Sequence, residues 1–177
     1  TLDTKDYSNP IANLYKIDSS GKVETMIDSV VISNGIIWSN DGKTMYYIDS
    51  PKRTVVAYDF DGENGLISNP RVVIRTPVNL GTPDGSTIDA DGNLWIAQWD
   101  GACVTKWNPA NGEMLAKVNV PAKNVTSVAF GGENLDILFI TTAQTSMSPK
   151  DAELYPNAGH VFSCVPGCKG VKASFFK

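Results

Sequence analysis

The feature that most constrains the fold is a ten-residue segment that occurs twice along the chain. Residues 33–42 read Ser-Asn-Gly-Ile-Ile-Trp-Ser-Asn-Asp-Gly, and residues 83–92 read Pro-Asp-Gly-Ser-Thr-Ile-Asp-Ala-Asp-Gly. In both copies a side chain with an amide or carboxyl oxygen precedes a glycine, a short strand follows, and Asp-Gly makes a turn. The repetition places Asn34 and Asp84 at equivalent points of one structural unit, so we expect both to face a common axis and one metal ion.

Each repeated unit is predicted to contain four short antiparallel strands. The first strand follows Asn34, Asp84 or, in a third unit, Ser127, and these residues are 50 and 43 positions apart. Four strands in a unit of this length match a β-propeller blade. The strands are predicted at residues 35–38, 45–48, 55–60 and 71–75; at 86–89, 94–97, 104–108 and 114–120; and at 128–130, 138–140, 161–164 and 171–175.

Two further strands, at residues 13–18 and 22–27, are predicted to be the outer pair of another blade. The chain is therefore interpreted as an all-β protein with about three and a half blades of one propeller domain, residues 1–177. A propeller closes with about four to eight blades, and an open arc exposes strand edges. We therefore expect the C-terminal part of a larger propeller. A short helical turn is predicted within residues 146–153.

The composition excludes two classes of partner. The 177 residues are 42% hydrophobic and 19% charged, and the net charge is −4. A slightly acidic chain with scattered lysines does not offer the basic face that nucleic acid needs. The sequence also contains no apolar run long enough for a membrane-spanning helix. We expect neither nucleic acid nor a membrane as a partner, and a cytoplasmic location.

Secretion is the alternative, and two features of the sequence would support it. Asn124 begins an Asn-Val-Thr glycosylation sequon. Cys164 and Cys168 bracket a predicted Val-Pro-Gly turn, where a disulfide and two free thiols are equally compatible with the sequence. Cys103 stands alone in a strand and is predicted to be a small buried apolar residue.

Asn34 and Asp84 are candidate ligands of a hard divalent cation, which prefers carboxylate, amide and water oxygens. The other Asp-Gly pairs follow a strand and are interpreted as turns, whereas these two residues precede the inner strand of a blade. One histidine, His160, and no His/Cys spacing argue against a closed zinc site. We expect Ca²⁺, with Mg²⁺, Mn²⁺ or an open Zn²⁺ site as alternatives. At least one more carboxylate must come from elsewhere.

Such a site favours hydrolysis of an ester or a lactone. A divalent cation polarises a carbonyl group and orients a water molecule, and an adjacent carboxylate can act as the general base. No Gly-x-Ser-x-Gly elbow, P-loop or dinucleotide-binding fingerprint indicates a competing chemistry. Trp99, just beyond a predicted second strand, either packs within its blade or lines the channel mouth.

Four segments in chain order carry a family resemblance. They are residues 32–41 (Ile-Ser-Asn-Gly-Ile-Ile-Trp-Ser-Asn-Asp), 45–50 (Met-Tyr-Tyr-Ile-Asp-Ser), 83–89 (Pro-Asp-Gly-Ser-Thr-Ile-Asp) and 125–132 (Val-Thr-Ser-Val-Ala-Phe-Gly-Gly). Together they resemble the SMP-30/gluconolactonase/regucalcin family, in particular its insect regucalcin-like members and firefly luciferin-regenerating enzyme. The resemblance covers nearly the whole chain.

The resemblance implies a six-bladed propeller with one divalent metal in its central channel and lactone hydrolysis as its activity. In the family the ligands are a Glu near the N-terminus, the Asn of an S/A-N-G-L motif and the Asp of a P-D-G motif. The last two match Asn34 and Asp84, and the Asp also activates water. In the family, the N-terminal half supplies the Glu, and also an Arg and an Asn that contact the sugar. The resemblance therefore implies that half as a partner of this segment. Alone, the segment is expected to be inactive and a poor metal binder.

Two other functions stay open on the sequence. One is a non-enzymatic calcium-binding regulatory protein with the same site, and the other is a secreted binding propeller that has lost the metal. Cys164 and Cys168 depart from the apolar and glycine residues typical of the last hairpin in the family. The loop at residues 143–157 varies among members near the channel mouth, so the preferred lactone is left open.

Overall fold

The computed structural model describes residues 10–173, which form thirteen strands in four antiparallel sheets, one α-helix and two short 3₁₀ turns. This confirms the all-β class. The strands are β1 (Ala12–Ile17), β2 (Val23–Val30), β3 (Ser33–Trp38), β4 (Thr44–Asp49), β5 (Thr54–Asp61), β6 (Leu66–Arg75), β7 (Thr82–Ile88), β8 (Leu94–Trp99), β9 (Cys103–Asn108), β10 (Glu113–Asn119), β11 (Asn124–Gly131), β12 (Ile137–Ala143) and β13 (Val161–Cys164).

The sheets follow the chain in sequence order, as in successive propeller blades. A two-stranded sheet, β1–β2, comes first, and two four-stranded sheets follow, β3-β4-β5-β6 and β7-β8-β9-β10. We call these the outer pair, the first blade and the second blade. The third blade is the three-stranded sheet β11-β12-β13. The prediction of about three and a half blades with these strand positions is confirmed, except at the last strand.

The blades pack face to face through apolar layers, and β8 contributes to two of them. Leu94 and Ile96 belong to the layer between the first and second blades, whereas Trp95 and Ala97 belong to the layer between the second and third. Because successive strand side chains point to opposite faces, a strand that is buried on both sides is mostly apolar, and the one buried polar residue of β8, Gln98, donates a hydrogen bond to the Thr105 hydroxyl. A third layer, built around Val30, joins the outer pair to the first blade.

The fourth strand predicted for the third blade is wrong over residues 171–173, which are not in a strand, and residues 174–177 lie outside the described range. The preceding segment leaves the third blade instead. Gly170 forms an isolated antiparallel bridge with Asp89, and its N–H donates to the Leu135 carbonyl. The Ala90 N–H donates to the Lys169 carbonyl at 2.8 Å. The segment therefore ties the second blade to the third.

The predicted helical turn is present as α1, Pro149–Leu154. Ser148 and Asp151 form a capping box at its start, which satisfies backbone N–H groups that would otherwise lack a partner. The Lys123 ammonium binds the Asp151 carboxylate at 2.8 Å and anchors the helix to the start of the third blade. Within the described range, no helix is long and apolar enough to cross a membrane.

Candidate functional site

Asn34 and Asp84 lie near the start of β3 and β7, the innermost strands of adjacent blades, and these two strands pack against each other. Both side chains line one cavity of about 620 Å³. The two residues that the repeat relates therefore border the same cavity. The residues that line the cavity are Ile32, Asn34, Ser50, Pro51, Thr82, Asp84, Trp99 and Ser146.

A β-bulge recurs at the same point of all three inner strands. The register shifts between Asn34 and Ile36 in β3, between Pro83 and Ser86 in β7, and between residues 125 and 127 in β11. A bulge inserts an extra residue, bends the strand and re-aims the side chains beside it. Asn34 and Asp84 stand at these bulges, where the inner strands border the cavity.

The glycines after the two candidate ligands are not turn residues. A Cβ on Gly35 would overlap the Ser86 hydroxyl of the next blade and lie 2.8 Å from Ile48 Cδ1. A Cβ on Gly85 would lie 2.7 Å from the Thr126 carbonyl oxygen of the following blade. Each glycine therefore lets the next inner strand approach closely, which brings the ligand positions of neighbouring blades together.

Two of the three Asp-Gly pairs interpreted as turns have the expected conformation, with Gly42 at φ 68° and Gly92 at φ 83°, whereas in the turn after Asp61 the positive φ falls on Gly65 and not on Gly62. Positive φ values are reached by glycine without steric cost. The repeated segment thus contains two kinds of glycine. One follows the candidate ligand and permits close packing between blades, and the other shapes the hairpin turn.

Burial raises the pKa of Asp84 to about 6, although the Gly85 N–H and the Asn34 amide act in the opposite direction. No salt bridge to Asp84 is found among the described residues. A carboxyl group with a pKa near the working pH suits a general base. A partly buried carboxylate without a neutralising cation also suits the ligand of a metal ion.

Ser50 is a residue of the cavity that sequence reasoning missed. The Asn34 side-chain N–H (Nδ2) donates to the Ser50 Oγ at 2.8 Å, and Ser50 is 5% exposed. The sequence signal that could have identified Ser50 is its position directly after the aromatic second strand. In an antiparallel sheet, the end of the second strand lies beside the start of the first, where Asn34 is. Trp99 also lines the cavity, which supports the channel-mouth interpretation of this residue.

Two other residues singled out in the sequence do not reach the cavity. Ser127 occupies the equivalent bulge of β11, but its side chain packs against Gly85 instead. His160 is exposed, precedes β13 and stacks on Phe162 with ring centroids 6.5 Å apart. Neither residue is among those that line the cavity.

The donors present fit part of a site for a hard divalent cation. Asn34 and Asp84 offer an amide and a carboxylate oxygen to one cavity, the donor types that Ca²⁺, Mg²⁺ and Mn²⁺ prefer. Within residues 10–173, no three His, Cys, Asp or Glu side chains come together as a ligand group.

The sequon asparagine and the three cysteines are all buried or partly buried. Asn124 is 2% exposed, and its Nδ2 donates to the Thr145 carbonyl at 2.8 Å, so the sequon amide is engaged inside the fold. Cys164 and Cys168 are free thiols, which agrees with one of the two alternatives. Cys103 is fully buried, as predicted.

Comparisons with known proteins agree with the fold. The model of the family described as SMP-30/Gluconolactonase/LRE-like region matches residues 1–144. The chain is 40% identical over 130 residues to the pentonolactonase XacC of Haloferax volcanii, covering 73% of this chain and 44% of that protein. The chain spans about half the length of the curated relatives it matches.

Two solved structures have the same fold. A luciferin-regenerating enzyme is 42% identical, with a TM-score of 0.83, over 90% of this chain and 53% of that one. A calcium-binding regucalcin from Agrobacterium tumefaciens is 27% identical, with a TM-score of 0.86, over 94% of this chain and 56% of that one. Taken with the family match, these likenesses show that the chain belongs to the SMP-30/gluconolactonase/LRE-like family.

Proposed function

We propose that the complete protein hydrolyses sugar lactones of the gluconolactone type, with a divalent cation held by Asn34 and Asp84. The observation that carries the proposal is the convergence of these two side chains on one cavity of about 620 Å³ in a member of this family. The relative named pentonolactonase supports a lactone as the substrate class. The relative described as calcium-binding supports Ca²⁺ as the first cation to test.

Asn34 and Asp84 would supply two oxygen ligands, and the N-terminal half of the propeller would supply the rest. When bound, a divalent cation polarises the lactone carbonyl and lowers the pKa of a nearby water molecule. The lining of the cavity combines Trp99 and Pro51 with several hydroxyl groups. Apolar walls with a few polar groups are typical of sites that orient a small ligand.

Asp84 would act as the general base. Its carboxylate borders the cavity and would accept a proton from the attacking water. The water oxygen bonds to the carbonyl carbon, the ring C–O bond breaks, and the proton passes to the departing ring oxygen. The product is the open hydroxy acid, and Asp84 returns to its ionised form.

The test is lactone hydrolysis by the complete protein, followed as acid release with gluconolactone and a panel of pentonolactones. Activity should disappear in excess chelator, return with added Ca²⁺ or Mn²⁺, and be lost in Asp84→Ala. Asp91→Ala is the matched control, because Asp91 lies in an exposed turn of the same blade. Full turnover in Asp84→Ala, or in the chelated protein, would contradict the proposal.

A calcium-binding regulatory protein without enzymatic activity is the second candidate, favoured by the relative described as calcium-binding. Such a protein would bind Ca²⁺ through the same two residues but would not hydrolyse a lactone. Tight Ca²⁺ binding with no turnover over the whole lactone panel would select it. Loss of Ca²⁺ binding in Asp84→Ala is expected for both candidates, so turnover is the measurement that separates them.

A further inference from the structure

We infer that Thr82 binds the hydroxyl-bearing part of the lactone, by donating its side-chain O–H to a hydroxyl oxygen of the sugar. This inference deepens the proposed function and rests on it, because it assigns Thr82 a role in the same cavity. A lactone ring without hydroxyl groups would gain nothing from this contact. Thr82 would therefore favour sugar lactones over unsubstituted ones, and it would take no part in breaking the ring.

Thr82 is the first residue of β7 and lies two positions before Asp84. Both residues line the cavity. Thr82 is paired across the sheet with Trp99, the last residue of β8, which also lines the cavity. Directly paired residues of antiparallel strands have Cβ atoms about 4.5–5.5 Å apart. The cavity therefore has a hydroxyl group and a large apolar ring side by side, on the strand pair that carries the proposed base.

The Thr82 hydroxyl already has one partner, the guanidinium group of Arg53. The Arg53 Nη1 donates to the Thr82 Oγ1 at 3.1 Å. Because a guanidinium group carries N–H donors and no acceptor, the direction of this hydrogen bond is certain, and the threonine oxygen accepts. A hydroxyl group can accept and donate at the same time. The Thr82 proton therefore stays available for a different partner.

Between residues 10 and 173, the Thr82 O–H finds no acceptor. The hydrogen bond from Arg53 is the one contact of this hydroxyl among the described residues. The Asp84 carboxyl group accepts from the Gly85 N–H and from the Asn34 amide, and Thr82 is not among its donors. The inner strand of the second blade thus offers the cavity a donor that is not used within this part of the chain. The hydroxyl oxygens of a sugar lactone are acceptors that match it.

The start of β7 is held in place, which fixes the position of Thr82. The same Arg53 guanidinium donates to the Pro77 carbonyl at 2.9 Å and also to the Gly81 carbonyl. A Cβ on Gly81 would lie 2.5 Å from the Trp99 carbonyl oxygen, so the segment before Thr82 packs tightly against the end of β8. A group that is held in place before a ligand arrives loses less conformational entropy on binding.

Thr82→Val removes the hydroxyl and keeps the branched shape of the side chain. Loss of one hydrogen bond between neutral groups should lower kcat/KM for gluconolactone by about 3- to 10-fold. The value for δ-valerolactone, the same ring without hydroxyl groups, should not change, because this lactone has no hydroxyl for Thr82 to bind. Thr82→Ser keeps the hydroxyl and should stay close to the wild type with both lactones.

Thr87→Val is the matched control. Thr87 also lies in β7 and is also paired with a tryptophan, Trp95. It is not among the residues that line the cavity. The substitution therefore changes the same atoms in the same strand and leaves the cavity as it is, so both lactones should react as they do with the wild type.

The experiment measures hydrolysis of gluconolactone and δ-valerolactone by the complete, Ca²⁺-loaded protein, as acid release above the uncatalysed rate. The expected result is a selective loss with gluconolactone in Thr82→Val that is absent from Thr82→Ser and Thr87→Val. Unchanged hydrolysis of gluconolactone by Thr82→Val would overturn the inference, and so would equal losses with the two lactones. If Thr82→Val does not fold, Thr82→Ala removes the same hydroxyl and is judged by the same outcomes.

The wild type separates failure of this inference from failure of the proposed function. A wild type that hydrolyses neither lactone, with or without Ca²⁺, would overturn the proposed activity and the role of Thr82 with it. A wild type that hydrolyses δ-valerolactone but not gluconolactone would overturn the inference alone, since no hydroxyl of the sugar would then be recognised.

Discussion

At the scale of single residues, the cavity depends on the carboxyl group of Asp84 and on two glycines, Gly35 and Gly85. Asp84 is partly buried, and no residue between 10 and 173 forms a salt bridge with it, so its ionisation costs free energy in the folded protein. Gly35 and Gly85 leave space that the neighbouring inner strand occupies. Each property belongs to one residue and can be tested by one substitution.

Gly85→Ala should destabilise the protein by about 1–3 kcal/mol, the usual effect of an extra methyl group in a packed region. The new Cβ would meet the Thr126 carbonyl oxygen at 2.7 Å, and a backbone atom cannot rotate away. Gly62→Ala is the control, because its Cβ would make an ordinary 3.7 Å contact with the Phe60 ring. Urea unfolding midpoints measure the difference, and equal midpoints for the two variants would contradict the packing role of Gly85.

Asp84→Asn should stabilise the metal-free protein at neutral pH by about 1 kcal/mol, a value reduced for partial exposure of the carboxyl group. The folded-state pKa of about 6 lies above the ordinary 3.8, so the folded protein binds more protons than the unfolded chain between these values. The free energy of unfolding of the wild type should therefore fall as pH rises from 4 to 6.

The measurement for this prediction is urea unfolding between pH 4 and pH 8 in the presence of chelator. In Asp84→Asn, the free energy of unfolding should not fall between pH 4 and pH 6, because an amide does not titrate. Parallel pH profiles of the wild type and the variant would show that Asp84 ionises with an ordinary pKa.

At the scale of strands and sheets, a buried ion pair lies at the boundary between the second and third blades. The Lys106 ammonium of β9 lies 2.9 Å from the Asp89 carboxylate and 5.3 Å from the centre of the Trp95 ring. Burial alone would raise the pKa of Asp89, but Lys106, the Trp95 indole N–H and the Asn93 backbone N–H together hold it below its ordinary value. The bridge from Gly170 reaches the same aspartate.

Lys106→Met should lower the free energy of unfolding by about 3 kcal/mol, because it leaves the Asp89 carboxylate buried without its cation. The double variant Asp89→Asn/Lys106→Met should recover part of that loss, since no charge then remains. Lys117→Met, on the exposed edge strand of the same sheet, is the control. A double variant less stable than Lys106→Met would argue against an unpaired charge as the cause.

Elements whose sequence pattern reflects local geometry could be predicted, and elements set by distant contacts could not. The apolar strand β8 and the hairpin turn at Gly92 follow from burial and backbone conformation, which the sequence records directly. Residues 171–175 were predicted as the fourth strand of the third blade, yet residues 171–173 are in no strand, and the preceding Gly170 bridges to Asp89, far away in the chain. Ser50 was missed for the same reason, because only the fold brings it to Asn34.

At the scale of the whole molecule, the described blades provide one side of a channel. Asn34 and Asp84 come from neighbouring blades, and the third blade contributes no side chain to the lining of the cavity except through Ser146 in the loop after β12. The relatives that the chain matches are about twice as long as the region it covers.

The 177-residue chain alone should bind Ca²⁺ at least tenfold more weakly than the complete protein, because second and third carboxylate ligands raise affinity and fix geometry. The measurement is a calorimetric titration of both proteins under the same conditions. Addition of the separately produced N-terminal half should increase the affinity if the two parts associate. Equal affinity of the isolated chain and the complete protein would show that these blades already hold every ligand.

The origin of the two ligands on separate blades has a consequence for stability. A cation bound by both Asn34 and Asp84 would be a reversible cross-link between sheets whose ligand positions are 50 residues apart in sequence. A ligand that binds only the folded state at a concentration of 100 times its Kd adds about 2.7 kcal/mol to the free energy of unfolding. The free Ca²⁺ concentration would then affect both the reaction in the channel and the stability of the contact between the first two blades.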